Sequence, residues 1–188
     1  MKEAISGKII WNNAMKAGII LGLVSITYMF LGIPIGKIGP GFLSTALVTV
    51  LWIVKFVLCI WLMAYFMKRL VSDYDGVTNS HTFKYGIAIA LLSAFVYSTI
   101  SMFNMQFISH DEVVSQLETQ FNSISNMLDS NSKEVLESIK NNIVQITFIG
   151  NFIWCLIYGT ILSSILSSSI PSKDPFTNYH NEDTTDNQ

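Results

Sequence analysis

The sequence has little charge and few of the side chains that most enzymes use. Only 13% of its 188 residues are Asp, Glu, Lys or Arg, and it contains two cysteines and three histidines. Cys59 and Cys155 lie in apolar runs without C-x-x-C spacing, which excludes a disulfide framework and favours two small buried side chains. The net charge is only -2 and no basic segment is present, so we expect no nucleic-acid partner.

Motifs for catalysis and metal binding are also missing. Neither H-E-x-x-H nor G-x-S-x-G occurs, and no carboxylate lies inside an apolar run. The sequence Asp111-Glu112 follows His110, but consecutive residues on a helix point in different directions, and acids are common at a helix N-terminus. The other histidines, His81 and His180, lie in polar segments. We therefore expect no enzyme activity, no metal site and no cofactor.

Long apolar runs dominate what is present. Hydrophobic residues make up 51% of the chain, and residues 17–36, 85–108 and 141–172 carry no charge. A fourth run, residues 38–67, carries only Lys55. Because each run is long enough to cross a hydrocarbon core about 30 Å thick, we predict an all-α polytopic membrane protein. Its four transmembrane helices are expected at residues 15–33, 42–67, 84–107 and 143–168.

The first run resembles a signal peptide because lysines precede it, but no A-x-A-like cleavage site follows, so we expect a retained helix. Lys and Arg indicate the orientation of the spans. With the N-terminus inside, the inner segments hold seven of these residues and the outer segments three. Both termini are therefore predicted to be cytoplasmic. Residues 1–170 are expected to form one domain, and the polar residues 171–188 a disordered tail.

The segment 109–142 is the one sizeable predicted loop outside the membrane. Two sequences typical of capping boxes, Ser109 with Glu112 and Asn131 with Glu134, predict the starts of two helices. Between them, helical spacing places apolar residues on one face: Val113, Leu117, Phe121, Ile124 and Leu128. We predict an extramembrane helical hairpin that packs on a partner or on the lipid surface. Six acidic residues against two lysines either attract a basic partner or, more simply, solvate the loop.

Small and polar residues at helical spacing indicate how the spans pack. Ala14, Gly18 and Gly22 form a small-residue face on the first helix, which allows close approach of another helix in the bundle or in a second subunit. Polar stripes on the third and fourth helices are expected to face each other. Counting residues from the outer ends places one polar cluster at similar depth in the bundle: Lys55, Tyr97, Asn151, Cys155 and Tyr158.

Lys55 is the most unusual of these residues because it lies at the centre of its span. A charged lysine at this depth costs about 2.5–3.5 kcal/mol on insertion scales, and its stem is too short to reach the membrane surface. We therefore expect Lys55 to face the bundle interior or a small cavity, hydrogen-bonded to Tyr97, Asn151, Tyr158 or a carbonyl group. A purely structural role and an ion or ligand site are both open at this point.

The order of these parts resembles a known family. Four spans, a long acidic helical segment before the last span, and the stretch "GVTNSHTFKYG" at residues 76–86 are similar to bacterial membrane proteins of the domain-of-unknown-function family 4199. The likeness extends to about Pro171, and His81 and the hydroxyl-rich "SSILSSSIPS" depart from the family pattern. The resemblance implies an architecture and a bacterial inner-membrane location, and it implies no activity.

Two functions from different classes follow. The first is a non-enzymatic protein with a structural, accessory or signalling role, in which polar stripes hold the helices together and the outer hairpin meets a partner. The alternative is a small transporter or ion-conducting subunit that uses the polar interior around Lys55. A pathway normally needs more than four helices, so the alternative also predicts a homo-oligomer. The lipid bilayer is the one partner that both functions share.

Overall fold

A computed structural model describes residues 3–36, 41–124 and 130–171 of the chain. Six α-helices occur in these ranges: α1 (Gly7–Gly36), α2 (Phe42–Asp73), α3 (Asn79–Asn104), α4 (His110–Ile124), α5 (Ser130–Asn141) and α6 (Ile143–Ser169). Four helical segments are long and apolar enough to cross a membrane, namely α1, α2, α3 with its extension, and α6. The predicted all-α fold with four transmembrane helices is confirmed. The tail prediction for residues 172–188 lies outside the described residues.

α1 is longer than the predicted span at both ends. It begins at Gly7, and it continues through Pro34 to Gly36. The predicted span, residues 15–33, is therefore too short at both ends. Proline lacks an amide hydrogen and removes one hydrogen bond from the ladder, but near the C-terminus of a helix few turns remain to be disrupted.

The loop between α2 and α3, residues 74–78, is held by local hydrogen bonds at one end of the bundle. Thr78 caps α3: its Oγ1 accepts from the amide of His81, and the His81 ring lies 3.4 Å from the Thr78 amide, which completes a capping box. Gly76 has φ +73°, which glycine adopts without strain, so it suits the Asp-Gly turn. The amide of Ile5 donates to the carbonyl of Asp75, which fastens the start of the chain to this loop.

α3 lies at the centre of the bundle, with α6 and α1 packed on it. Its buried positions are mainly small residues, among them Ala90, Ser93, Ala94 and Ser98, so neighbouring helices approach closely. α2 packs mainly on α1 and touches α3 and α6 much less. All of its buried side chains lie from Cys59 onward, and the preceding half of the helix is largely exposed to the surroundings. α2 therefore diverges from the other spans over its N-terminal half.

α3 and α4 form one continuous helix rather than a span and a separate extramembrane helix. A single π-helical turn, Met105–Ser109, joins them, and the helix runs without a break from Asn79 through Phe121. Ser109 accepts a hydrogen bond from the Asn104 side chain inside this turn, so it does not cap a new helix. The predicted helix start at Ser109 is wrong. The apolar stripe had the right period because it continues the helix of the span.

α5 leads directly into α6. It begins at Ser130, so Asn131 lies inside the helix rather than at its predicted cap, and Asn142 alone separates it from α6. An ion pair between Lys140 and Glu118 links α5 to α4. The predicted helices of this segment are thus present and connected, whereas Leu128 of the predicted stripe lies outside the described residues. Val113, Leu117 and Phe121 are half-buried, and Asp111 and Glu112 are exposed.

Candidate functional site in the membrane bundle

The small-residue face of α1 packs on α3. Ala14 is fully buried, and a Cβ atom built on Gly18 would lie 2.7 Å from the Cβ of Leu92 and 3.1 Å from the Ile89 carbonyl oxygen. A Cβ on Gly22 would lie 2.9 Å from the Cβ of Val96. Since real Cβ atoms do not approach so closely, only glycine allows this helix separation. Ala14, Gly18 and Gly22 therefore occupy an interface inside the bundle.

The facing stripes of α3 and α6 are joined by two hydrogen bonds. The Asn151 amide donates to Ser101 Oγ at 2.8 Å, and the Ser163 hydroxyl donates to the Phe83 carbonyl oxygen at 2.9 Å. In hydrocarbon, a hydrogen bond between helices stabilises the folded protein by about 0.6 kcal/mol on average. The gain is small because the same polar groups also find other partners when the helices are separated in the membrane. The two bonds fix the register of α6 along α3, one near each end of the contact.

A cavity of about 250 Å³ lies where the four spans diverge, and every span contributes to its wall. The wall is mostly apolar, with a few polar or thiol side chains: Ser25, Lys55, Cys59, Ser93, Cys155 and Tyr158. Trp52 and Trp154 form its lipid-facing edge, and both are more than half exposed. An apolar cavity of about 150 Å³ already admits benzene, so this one is large enough for one ring or a short length of chain.

Lys55 lies on the wall of this cavity, and its position agrees only in part with the prediction. Its Nζ atom is 4.9 Å from the centroid of the Tyr97 ring, which is a cation–π contact. Such a contact contributes about 0.5–1 kcal/mol at exposed sites and about 2 kcal/mol when desolvated. Among the described residues no carboxylate forms an ion pair with Lys55, and the predicted hydrogen bonds to Tyr158 and Asn151 are not formed. The ammonium group therefore faces an aromatic ring and an apolar cavity.

The five residues of the predicted polar cluster fall into two places. Lys55, Cys155 and Tyr158 line the cavity, and Tyr97 contacts Lys55. Asn151 is bonded to Ser101 instead and does not line the cavity. Two further lining residues, Ser25 and Cys59, were not predicted; their Oγ and Sγ atoms are 3.9 Å apart, and Cys59 lies one helical turn after Lys55 on α2. The sequence could have identified both residues, because a serine and a cysteine occur in apolar runs at the same depth as Lys55.

The Tyr158 hydroxyl is the least satisfied group at this site. It is shielded from solvent and has no hydrogen-bond partner within residues 3–36, 41–124 and 130–171. The ring itself packs on Phe56, with centroids 5.5 Å apart. A buried hydroxyl without a partner costs about 1–3 kcal/mol, so this atom and the nearby ammonium of Lys55 give the cavity two polar groups that a ligand could satisfy.

No histidine or carboxylate side chain from the described ranges lines this cavity. In the described part of the chain, no three His, Cys, Asp or Glu side chains come together in a way that would hold a metal ion. His110 is bonded to Asp111 in the exposed extension of α3, and His81 serves the cap of that helix. The site can therefore bind through apolar contact, one cation and one or two hydroxyl groups.

Comparison with known proteins places the chain in a family but gives no activity. No curated protein and no solved structure matches the chain. One family model does match, over residues 16–169, a range that extends from within α1 to the end of α6. This match confirms the resemblance seen in the sequence. The chain belongs to the family described as protein of unknown function (DUF4199), and it is a multi-pass membrane protein.

Proposed function

We propose that this protein is a non-enzymatic component of a bacterial inner membrane, with an accessory or signalling role exerted through the helices that project from its bundle. Both termini are placed in the cytoplasm, on the lysine and arginine asymmetry of the sequence, so α4 and α5 lie on the outer side. Protein–protein contact, rather than chemistry, is then the activity of the molecule.

The observation that carries this proposal is the continuous helix from α3 into α4. The segment Asn79–Phe121 has 43 residues. At about 1.5 Å per residue it is roughly 65 Å long, about twice the thickness of a hydrocarbon core. The same helix is the centre of the bundle, where α1 and α6 pack on it. A partner that displaces the outer part of this helix therefore acts directly on the packing of the spans.

The polar groups inside the membrane support the same proposal. Asn151 and Ser163 are both used in bonds that join α6 to α3, as expected for residues that hold helices together. Outside, the Lys140–Glu118 ion pair holds α5 against α4, which stiffens the projection. The acidic side chains of Asp111 and Glu112 remain exposed on it and are available to a partner.

Photo-crosslinking in intact cells tests this proposal. A photoreactive residue at Glu112 or Ser115, both exposed on α4, should give a protein adduct of one defined mass. The matched control is Val57, which is 58% exposed on the outer half of α2 and should label lipid only. Gln106→Pro, which breaks the helix between α3 and α4, should abolish the adduct while Gln106→Ala preserves it. Absence of protein adducts at both α4 positions would contradict the proposal.

A second candidate is a small transporter or ion-conducting subunit, and the cavity beside Lys55 favours it. All four spans line this cavity, and an intramembrane cation often marks a pathway. A transport function requires an oligomer, because one bundle of four spans encloses too little space for a continuous path across the membrane. A mass in nanodiscs above that of one chain, together with flux in proteoliposomes that Lys55→Met abolishes, would favour it. A strict monomer without flux would exclude it.

A further inference from the structure

We infer that the inner end of the bundle holds a binding site for the phosphate group of an anionic phospholipid. A second pocket of about 230 Å³ lies there, between the start of α1, the end of α2 and the start of α3. Its rim carries Lys16, Arg69, Asp73 and Tyr74. This pocket is separate from the cavity at Lys55 and has no part in the proposed function.

The two cations of the pocket lie at the boundary of the apolar spans. Lys16 directly precedes the charge-free run of α1, and Arg69 lies two residues after Met67, the end of the long apolar run of α2. Their side chains are exposed, with Arg69 63% accessible. An ammonium and a guanidinium at the end of the apolar spans lie at the depth of the phospholipid phosphate groups. Basic pockets between transmembrane helices bind anionic headgroups.

The hydrogen-bonding groups of the rim are free to serve a phosphate. Arg69 contacts Asp73 through Nε only, at 3.4 Å, and a guanidinium has five N–H donors in a planar fork that matches phosphate oxygens. Tyr74 Oη accepts from the Asn13 side chain at 3.2 Å, so its own hydrogen remains available to donate. The Lys16 ammonium adds up to three donors.

The lower wall of the pocket explains why the phosphate should belong to a lipid. Ala17, Ile20, Phe66 and Leu70 line it, and Ile20 is 44% exposed to the lipid side. A phosphate at the rim would place its acyl chains along Ile20 and Phe66, where they remain in apolar surroundings. Free inorganic phosphate would use only the rim and leave this wall uncovered.

The charge of the site selects the lipid class. Lys16 and Arg69 contribute two positive charges and Asp73 one negative charge, which leaves a net charge of +1 at the pocket. A phosphatidylglycerol headgroup complements that charge, whereas a phosphatidylcholine headgroup brings its own cation and does not. Each basic residue near a membrane surface changes anionic-lipid binding by about fivefold.

Native mass spectrometry of the purified full chain tests the inference with phosphatidylglycerol and phosphatidylcholine of identical acyl chains. The wild-type protein should retain phosphatidylglycerol preferentially, and Lys16→Gln with Arg69→Gln should lower that preference by about tenfold or more. Lys84→Gln is the matched control, because Lys84 is an exposed lysine at the same end of the bundle that does not line the pocket. Asp73→Asn should raise the preference, an increase that misfolding does not produce.

Three results would overturn the inference. The first is equal retention of both lipids by the wild-type protein. The second is an equal loss of preference in Lys84→Gln and in the double variant, which would assign the effect to general surface charge. The third is stabilisation by inorganic phosphate alone that depends on Lys16 and Arg69 without any lipid preference, which would make the pocket a site for a soluble anion.

Discussion

A methyl group added at Gly18 tests the close approach of α1 to α3. The new Cβ would lie 2.7 Å from the Cβ of Leu92 and 3.1 Å from the Ile89 carbonyl oxygen. Non-bonded carbons prefer a separation of about 3.5–4.0 Å, so the axes of the helices must move apart by roughly 1 Å. Neither opposing atom can rotate away, because one is a backbone oxygen and the other is bonded directly to the backbone. Overpacking of this kind costs about 1–3 kcal/mol.

Gly32→Ala provides the matched control on the same helix. A Cβ atom at Gly32 meets nothing within 4 Å, so this variant makes the same chemical change without the contact. The gain in helix propensity from glycine to alanine, about 0.8–1 kcal/mol in soluble helices, is common to both variants and cancels in the comparison. Gly18→Ala should therefore melt below Gly32→Ala by roughly 2–12 °C for a chain of this length.

The measurement is thermal unfolding of the purified protein in one detergent, followed by circular dichroism and by the monodisperse fraction that remains after heating. Gly22→Ala should behave like Gly18→Ala, because its Cβ would lie 2.9 Å from the Cβ of Val96. If Gly18→Ala and Gly32→Ala melt at the same temperature, α1 and α3 are not in glycine-dependent contact and the packing described for the bundle is wrong.

Other predictions concern the polar groups and the orientation. Asn151→Ala and Ser101→Ala should each destabilise the protein, and a double-mutant cycle should give a coupling energy of about 0.6–1.7 kcal/mol; a coupling near zero would contradict the bond between them. Lys55→Met should change thermal stability, and any cellular phenotype should follow protein abundance; loss of function at wild-type abundance would instead assign Lys55 to a pathway. Ser115→Cys should react with a membrane-impermeant thiol reagent in spheroplasts, and labelling only after lysis would reverse the orientation.

The transmembrane spans could be predicted because long charge-free runs have one stable solution in a bilayer. The residues at which the helices begin and end were harder to predict. The first span was predicted to end at residue 33, yet α1 continues through Pro34 to Gly36, because a proline close to the C-terminus interrupts few of the helical hydrogen bonds. Ser109 with Glu112 suggested a new helix, although the same spacing is compatible with an uninterrupted one. The apolar residues at Val113 and Leu117 were the better guide, since they keep the helical period of the span.

The sequence could predict the depth of each site residue in the bundle. It could not predict the direction in which each side chain points around its helix axis. Counting residues from the outer ends brought Lys55 and Tyr97 to the same level, and the structure shows them in contact. The same count could not show that Asn151 turns toward Ser101. The cavity depends on how far α2 diverges from α6, a property of helix tilt that no local sequence pattern records. His81 was noted only as a departure from the family pattern, although its position three residues after Thr78 suits a cap.

The glycine face of α1 has a consequence for how the chain is made. Gly18 and Gly22 fit against α3, which follows α2 in the sequence, so the first two spans enter the membrane before the partner of α1 exists. During synthesis, the glycine face of α1 therefore has no helix to pack against until α3 has entered the membrane. The contacts of Gly18 with Leu92 and of Gly22 with Val96 join residues about 74 apart in the sequence, so the slow step is expected to be helix association after insertion rather than insertion itself.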